Sequence, residues 1–182
     1  MKILVFTPTE SALPQACHVE LYPDSSLLFT HRALFLPEYD VQCRTALVAR
    51  IGRLGKSIAP RFALRYCDAI TAGIVTAPVD TGDDPRVRCF DGALSTGVMM
   101  PSDTAMQSEP VLEFSNGALT WPAPDRQLLP WLSHAIATAS RHMTLKTGDL
   151  LFLTHAQRQP VEQGDVLHAC VNGVDALTIR VK

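Results

Sequence analysis

The sequence predicts a β-rich α+β protein, largely antiparallel sheet with few helices. Turn formers recur at short intervals, in "YPDSS", "LPEYD", "TGDDP", "SNG", "PAPD", "TGD", "QGD" and "VNG". Between them lie short apolar runs: "SLLF", "TALVARI", "VLEF", "LLFLT", "VLHACV" and "ALTIRV". That punctuation is typical of hairpin-connected strands, and only two stretches carry a helical repeat.

Taken in order, "KILVF" near the N-terminus is a first strand that ends at Thr7-Pro8. Residues 41–56, "VQCRTALVARIGRLGK", run as a strand into a glycine-bearing turn. In "APRFALRYCDAI", residues 59–70, the apolar Phe62, Ala63, Tyr66, Cys67 and Ile70 recur at helical spacing. Pro60 suits the first turn of that helix. A second helix is predicted in "PDRQLLPWLSHAIATASRH", with Asp125 as its N-cap and Leu128, Leu132, Ile136 and Ala139 as one apolar stripe. Pro130 must then sit in the first turn or kink the helix. Near the C-terminus, "TGDLLFL" and "QGDVLHA" each place Gly-Asp before an apolar strand. Glycine permits the tight turn there, and aspartate can bond the backbone as the strand begins.

A chain of 182 residues suits one domain, with the first ~20 residues leaving room for a short appendage. Its 47% apolar and 19% charged residues are those of a globular protein, and a net charge of −2 selects neither nucleic acid nor an anionic membrane. No window approaches the ~18 consecutive apolar residues of a membrane span, and "MKILVF" is too short for a signal-peptide core. Five widely spaced cysteines without a CxxC point to reduced thiols, hence to the cytoplasm.

The pieces "PDSSLL", "FLPEYD", "LVARIGRLGKSIAPRFALRYCDAITAGI", "CFDGA", "NGAL", "TGDLLFL" and "QGDVL" occur in an order that resembles the fumarylacetoacetate hydrolase superfamily, from about residue 19 to 175. The resemblance implies a mixed β-roll with few helices, often dimeric, acting on 2-oxo or 2,4-dioxo acids with magnesium or manganese. Such a hard cation needs oxygen ligands and polarises the substrate's oxo group. The resemblance places the family's Glu-x-Glu pair on Arg44 and Ala46 and its aspartate on Val75. All three carboxylates are therefore missing, and no metal is expected. A family arginine falls on Val79 and a lysine on Arg88, and the family's Thr-Gly-Thr-Pro loop falls on Thr154, His155 and Ala156.

Arg44 and Arg88 are accordingly candidates for binding a small carboxylate ligand through bidentate hydrogen bonds. His155 is the candidate catalytic group, since histidine titrates near neutrality, although a lone loop histidine is more simply exposed. Asp80, Asp83 and Asp84 form either a replacement cation site or a solvated turn. Cys43 lies beside Arg44, which favours a thiolate, but adjacent strand residues face opposite ways. His18, His31 and His168 show no ligand spacing. The expected protein is a homodimeric, cytoplasmic family relative without metal, inactive or altered. The alternative is an active hydrolase, isomerase or decarboxylase of an acylpyruvate-type acid, with its metal relocated or dispensed with.

Overall fold

A computed structural model describes residues 1–9, 17–79, 84–124 and 127–182, with only the backbone of Pro85. Its strands are β1 (Ile3–Pro8), β2 (Cys17–Tyr22), β3 (Leu27–Phe29), β4 (Ala33–Leu34), β5 (Val41–Ile51), β6 (Cys67–Pro78) and β7 (Leu94–Thr96). They continue with β8 (Met100–Pro101), β9 (Leu112–Asn116), β10 (Leu119–Trp121), β11 (Leu150–Thr154), β12 (Gln159–Pro160), β13 (Val166–Val171) and β14 (Val174–Val181). The helices are α1 (Pro60–Ala63), α2 (Pro85–Arg88), α3 (Ser102–Ala105) and α4 (Leu128–His142).

Among the described residues, a large sheet runs β2-β1-β11-β5-β6-β7-β3, with β12 added to β5 and β8 to β6. A second sheet runs β10-β9-β13-β14-β4. Most pairings are antiparallel, while β1–β11, β3–β7 and β4–β14 are parallel. This is the β-rich α+β architecture that the turn spacing predicts.

The large sheet is apolar on both faces at its centre. One face sends Leu47, Ala49, Ile51, Ile70 and Ala72 into the main core, against α4 and the inner face of the second sheet. The other face gathers Ile3, Val5, Tyr22, Ala46, Val48, Val75, Leu94 and Phe152 into a smaller cluster. Full burial of each valine, leucine, isoleucine or phenylalanine among them contributes roughly 1.5–3 kcal/mol, so both faces hold the sheet in register.

The helix expected over 59–70 is shorter than its spacing suggests. It ends at Ala63, a 3-10 turn covers Leu64–Tyr66, and β6 already begins at Cys67. The register against β5 shifts between Arg50, opposite Ala69, and Ile51, opposite Cys67. That bulge takes up Asp68, so Cys67 and Ile70, three residues apart, both enter the main core. A bulged strand thus counterfeits a helical repeat. Helix α4 is as expected, with Leu128, Trp131, Leu132, Ala135, Ile136 and Ala139 buried. Pro130 sits in its first turn, where no intrahelical N–H is needed. Asp125 lies outside the described residues; the Leu128 and Leu129 amides both donate to Oε1 of Glu109, 19 and 20 residues back.

The two Gly-Asp turns share one geometry. Gly148 and Gly164 take φ of 88° and 98°, and each following aspartate accepts the amide three residues before it, Lys146 to Asp149 and Glu162 to Asp165. Asp149 does more. Its carboxylate is buried and also accepts the Lys2 amide at 2.8 Å and the Lys2 ammonium at 2.6 Å, tying β1 to β11. Burial alone would raise its pKa, but the donors from Lys2 and Lys146 outweigh that and hold it below the ordinary value. A carboxylate held low stabilises the fold at all pH above the unfolded carboxyl pKa, and that contribution fades as pH falls through the folded value. Asp149→Asn should therefore cost about 2–4 kcal/mol at pH 7. In denaturant melts, the gap between wild type and variant should close as the pH is lowered below about 4. A gap that stays constant down to pH 2 would show that the carboxylate's charge has no part in it.

Candidate functional site

Strand alternation brings polar groups to one end of the smaller cluster. Across β1–β2, Ile3 faces Tyr22, Val5 faces Glu20 and Thr7 faces His18, so these pairs continue the face on which Ile3 and Val5 are buried. On β5, Arg44 stands opposite Val75, and Ala46 stands opposite Gly73 on one side and Thr154 on the other. Arg44, Ala46 and Val75 thus share that same face. Thr154 donates toward the Phe6 carbonyl and meets the Thr7 hydroxyl at 3.2 Å, closing the cluster beneath the polar groups.

The three positions where the resemblance places carboxylates therefore do converge, but with the wrong atoms for a cation. Ala46 is wholly buried and Val75 is 2% exposed, both packed in the apolar cluster. A methyl and an isopropyl supply no lone pair, and a guanidinium supplies only positive charge. These side chains do not fit magnesium or manganese.

Beside them opens a cavity of about 560 Å³, lined by Thr7, His18, Glu20, Arg44, Arg88 and Arg158 with Val19 and Leu21. Its volume suits a small organic ligand. Three guanidinium groups face one carboxylate there, an excess of two positive charges from these four groups. Arg88, at the end of α2, gives Nη1 to Glu20 Oε1 at 2.8 Å and lies 5.7 Å from the Tyr22 ring centroid. Its Nε is buried with no acceptor among the described residues, and the Tyr22 hydroxyl is likewise unpartnered. Burial, reinforced by Glu20, drives the Tyr22 phenol upward, so it stays a neutral donor.

Arg44 is half-buried, and its Nε reaches only the Ala156 carbonyl, at 3.4 Å. No carboxylate among the described residues forms an ion pair with it or with Arg158. Burial, and then the Arg158 charge, pull its pKa below the ordinary arginine value, although arginine remains a cation at any physiological pH. Glu20 counters this repulsion only in part, so a further anion between the two cations would relieve it.

His155 is not among the residues lining this cavity. It is half-buried, its amide donates to the Thr45 carbonyl, and its Nδ1 accepts the Gln157 amide at 3.0 Å. The same loop reaches the cavity three residues later, through Arg158. Asp80 and Asp83 lie outside the described residues, and Asp84 is engaged by Arg86 at 2.8 Å. Cys43 is on the face opposite Arg44, wholly buried and bonded to Thr76, and burial pushes its thiol up to about 12. Sequence reading also missed His18 and Glu20. Their i, i+2 spacing in "CHVELY" was the available sign, but the partner strand that aims them was not.

No protein-family model matches the chain, and no curated protein matches it. Solved structures do. It superposes on 5-carboxymethyl-2-hydroxymuconate delta-isomerase from Mycobacterium smegmatis at TM-score 0.86 and 21% identity, covering 99% of this chain and 78% of that one. Fumarylpyruvate hydrolase from Pseudomonas aeruginosa, in complex with Mn2+ and pyruvate, gives TM-score 0.85 and 18% identity, over 100% and 89% of the two chains. A Yersinia pestis CO92 protein proposed to belong to the fumarylacetoacetate hydrolase family gives 0.86 and 16%, over 100% and 92%. The fold is that of fumarylacetoacetate hydrolase-like proteins.

The face assignment can be checked through the thiols. Cys67, like Cys43, is buried with its thiol pushed up to about 12. Native protein treated with an alkylating reagent at pH 8 should leave both unmodified by mass mapping, and both should react once denatured. Rapid native alkylation of Cys43 would place it on the cavity side with Arg44.

Proposed function

We propose that this chain is a member of the fumarylacetoacetate hydrolase family that binds a small carboxylate through guanidinium groups and lacks the family's metal-dependent catalysis. The observation that carries the reading is the cavity beside Arg44, Ala46 and Val75, where three arginines face one glutamate. Charge-assisted bonds from guanidinium to carboxylate are strong and directional, and they need no cation. A polar cavity with two surplus positive charges favours a dicarboxylate over a monocarboxylate. One neighbour in fold is solved with pyruvate, which makes 2-oxo acids the first class to test. On this reading the chain acts as a homodimer in the cytoplasm, in a ligand-sensing or structural role; among the described residues no helix is long and apolar enough to cross a membrane.

Glu20 sets the affinity on this reading. It already occupies Arg88, so an incoming carboxylate must compete with it or leave Arg88 to hold both. Thermal melts in saturating pyruvate, oxaloacetate or succinate should rise, by about 2.7 kcal/mol when the ligand stands at 100 times Kd, or about 5–10 °C for a chain of this size. Added chelator should change nothing, Arg44→Ala should abolish the shift, and Glu20→Gln should enlarge it. No shift across the panel would refute carboxylate binding. Acylpyruvate turnover that needs magnesium or manganese would refute the loss of catalysis.

A further inference from the structure

The outer face of the second sheet holds a separate cluster. On β13, His168 and Cys170 alternate toward solvent while Leu167, Ala169 and Val171 enter the core. Across the hairpin, the β14 register slips between Ala169, opposite Leu177, and Cys170, opposite Asp175. The bulge takes up Ala176, so Ala176 and Leu177 are both buried in succession and Asp175 is turned onto the outer face. Asp175 Oδ1 then lies 3.4 Å from His168 Nε2 and 3.3 Å from Cys170 Sγ. The nitrogen, sulfur and oxygen atoms all fall within 4.8 Å of one another.

We infer that His168, Cys170 and Asp175 form a binding site for a zinc-class transition-metal cation. Tetrahedral zinc holds nitrogen and oxygen at about 2.0–2.2 Å and sulfur at about 2.3 Å. Ligand atoms around such an ion are therefore about 3.3–3.8 Å apart, which the two distances to Asp175 Oδ1 already match, while the His168 and Cys170 atoms lie within 4.8 Å of each other. The donor types decide the metal: imidazole with thiolate selects zinc, cobalt or copper and disfavours magnesium or calcium. Glu113 on β9 pairs with Cys170 across the sheet but is not among the side chains whose ligand atoms converge, so water completes the coordination. Binding releases the thiol proton to solvent and replaces the Cys170–Asp175 hydrogen bond with two bonds to the ion. The hairpin gains a clip across its bulge. The site lies on a different sheet from the arginine cavity and shares no residue with it.

Cobalt makes the test specific, because a thiolate bound to it gives near-ultraviolet charge-transfer absorption. Chelator-treated protein titrated with cobalt chloride should develop that absorption to a one-to-one endpoint, and zinc should displace it. Cys170→Ser should remove the band. His168→Gln and Asp175→Asn should each weaken binding at least about tenfold, with circular dichroism unchanged, since all three side chains point outward. Arg44→Ala should bind cobalt as wild type does. The site is refuted if no thiolate band forms, or if the band survives Cys170→Ser and so belongs to another cysteine.

Discussion

The antiparallel pairing of β5 with β6 is the constraint on which the rest depends. It spans Val41 opposite Pro78 to Ile51 opposite Cys67, and it fixes which residues enter the main core and which the smaller cluster. A slip of one residue would exchange Leu47 and Ile74 for Ala46 and Val75, exposing both clusters to the wrong partners. Gly73 reinforces the register. A Cβ there would lie 2.4 Å from Val48 Cγ2 and 2.9 Å from Phe152 Cε1, so only glycine lets the centre of the smaller cluster close.

That closure accounts for the character of the neighbouring cavity. Where strands carry Ala46 and Val75 there is apolar packing, so water and counter-ions are kept from the floor. Arg44 rises from this floor half-buried, and Arg88 lies against the Tyr22 ring. Charges near a low-dielectric wall act on one another more strongly than in water, which makes repulsion between Arg44 and Arg158 matter. Glu20, which pairs with Arg88 and also acts on Arg44, brings one negative charge against three guanidiniums. The same arrangement offers no oxygen ligand to a doubly charged cation, and on the reading proposed above it draws an anion.

The second sheet uses a different device for a comparable end. Its inner face is apolar throughout β13, so its outer face is free to vary, and one bulge re-aims Asp175 without disturbing the core beneath. Bulges appear at both points where chemistry departs from simple alternation, at Asp68 in β6 and at Ala176 in β14. Each adds a residue on one strand while the hydrogen-bonded ladder continues on either side.

The sequence by itself determined the β-rich class, strands at "KILVF" and "TALVARI", helix α4, both Gly-Asp turns and the i, i+2 alternation that puts Arg44 and Ala46 on one face. These follow from local periodicity and turn chemistry, which a single strand or helix displays in its own residues. Only the tertiary structure decided that residues 67–70 are strand, that Val75 joins the face of Arg44 and Ala46, that Arg158 and not His155 lines the cavity, and that Glu20 pairs with Arg88 from 68 residues away. It also brought Asp175 to His168 and Cys170. Each of these depends on which strand lies beside which and where a ladder slips by one residue, and spacing within one segment carries no record of its neighbour.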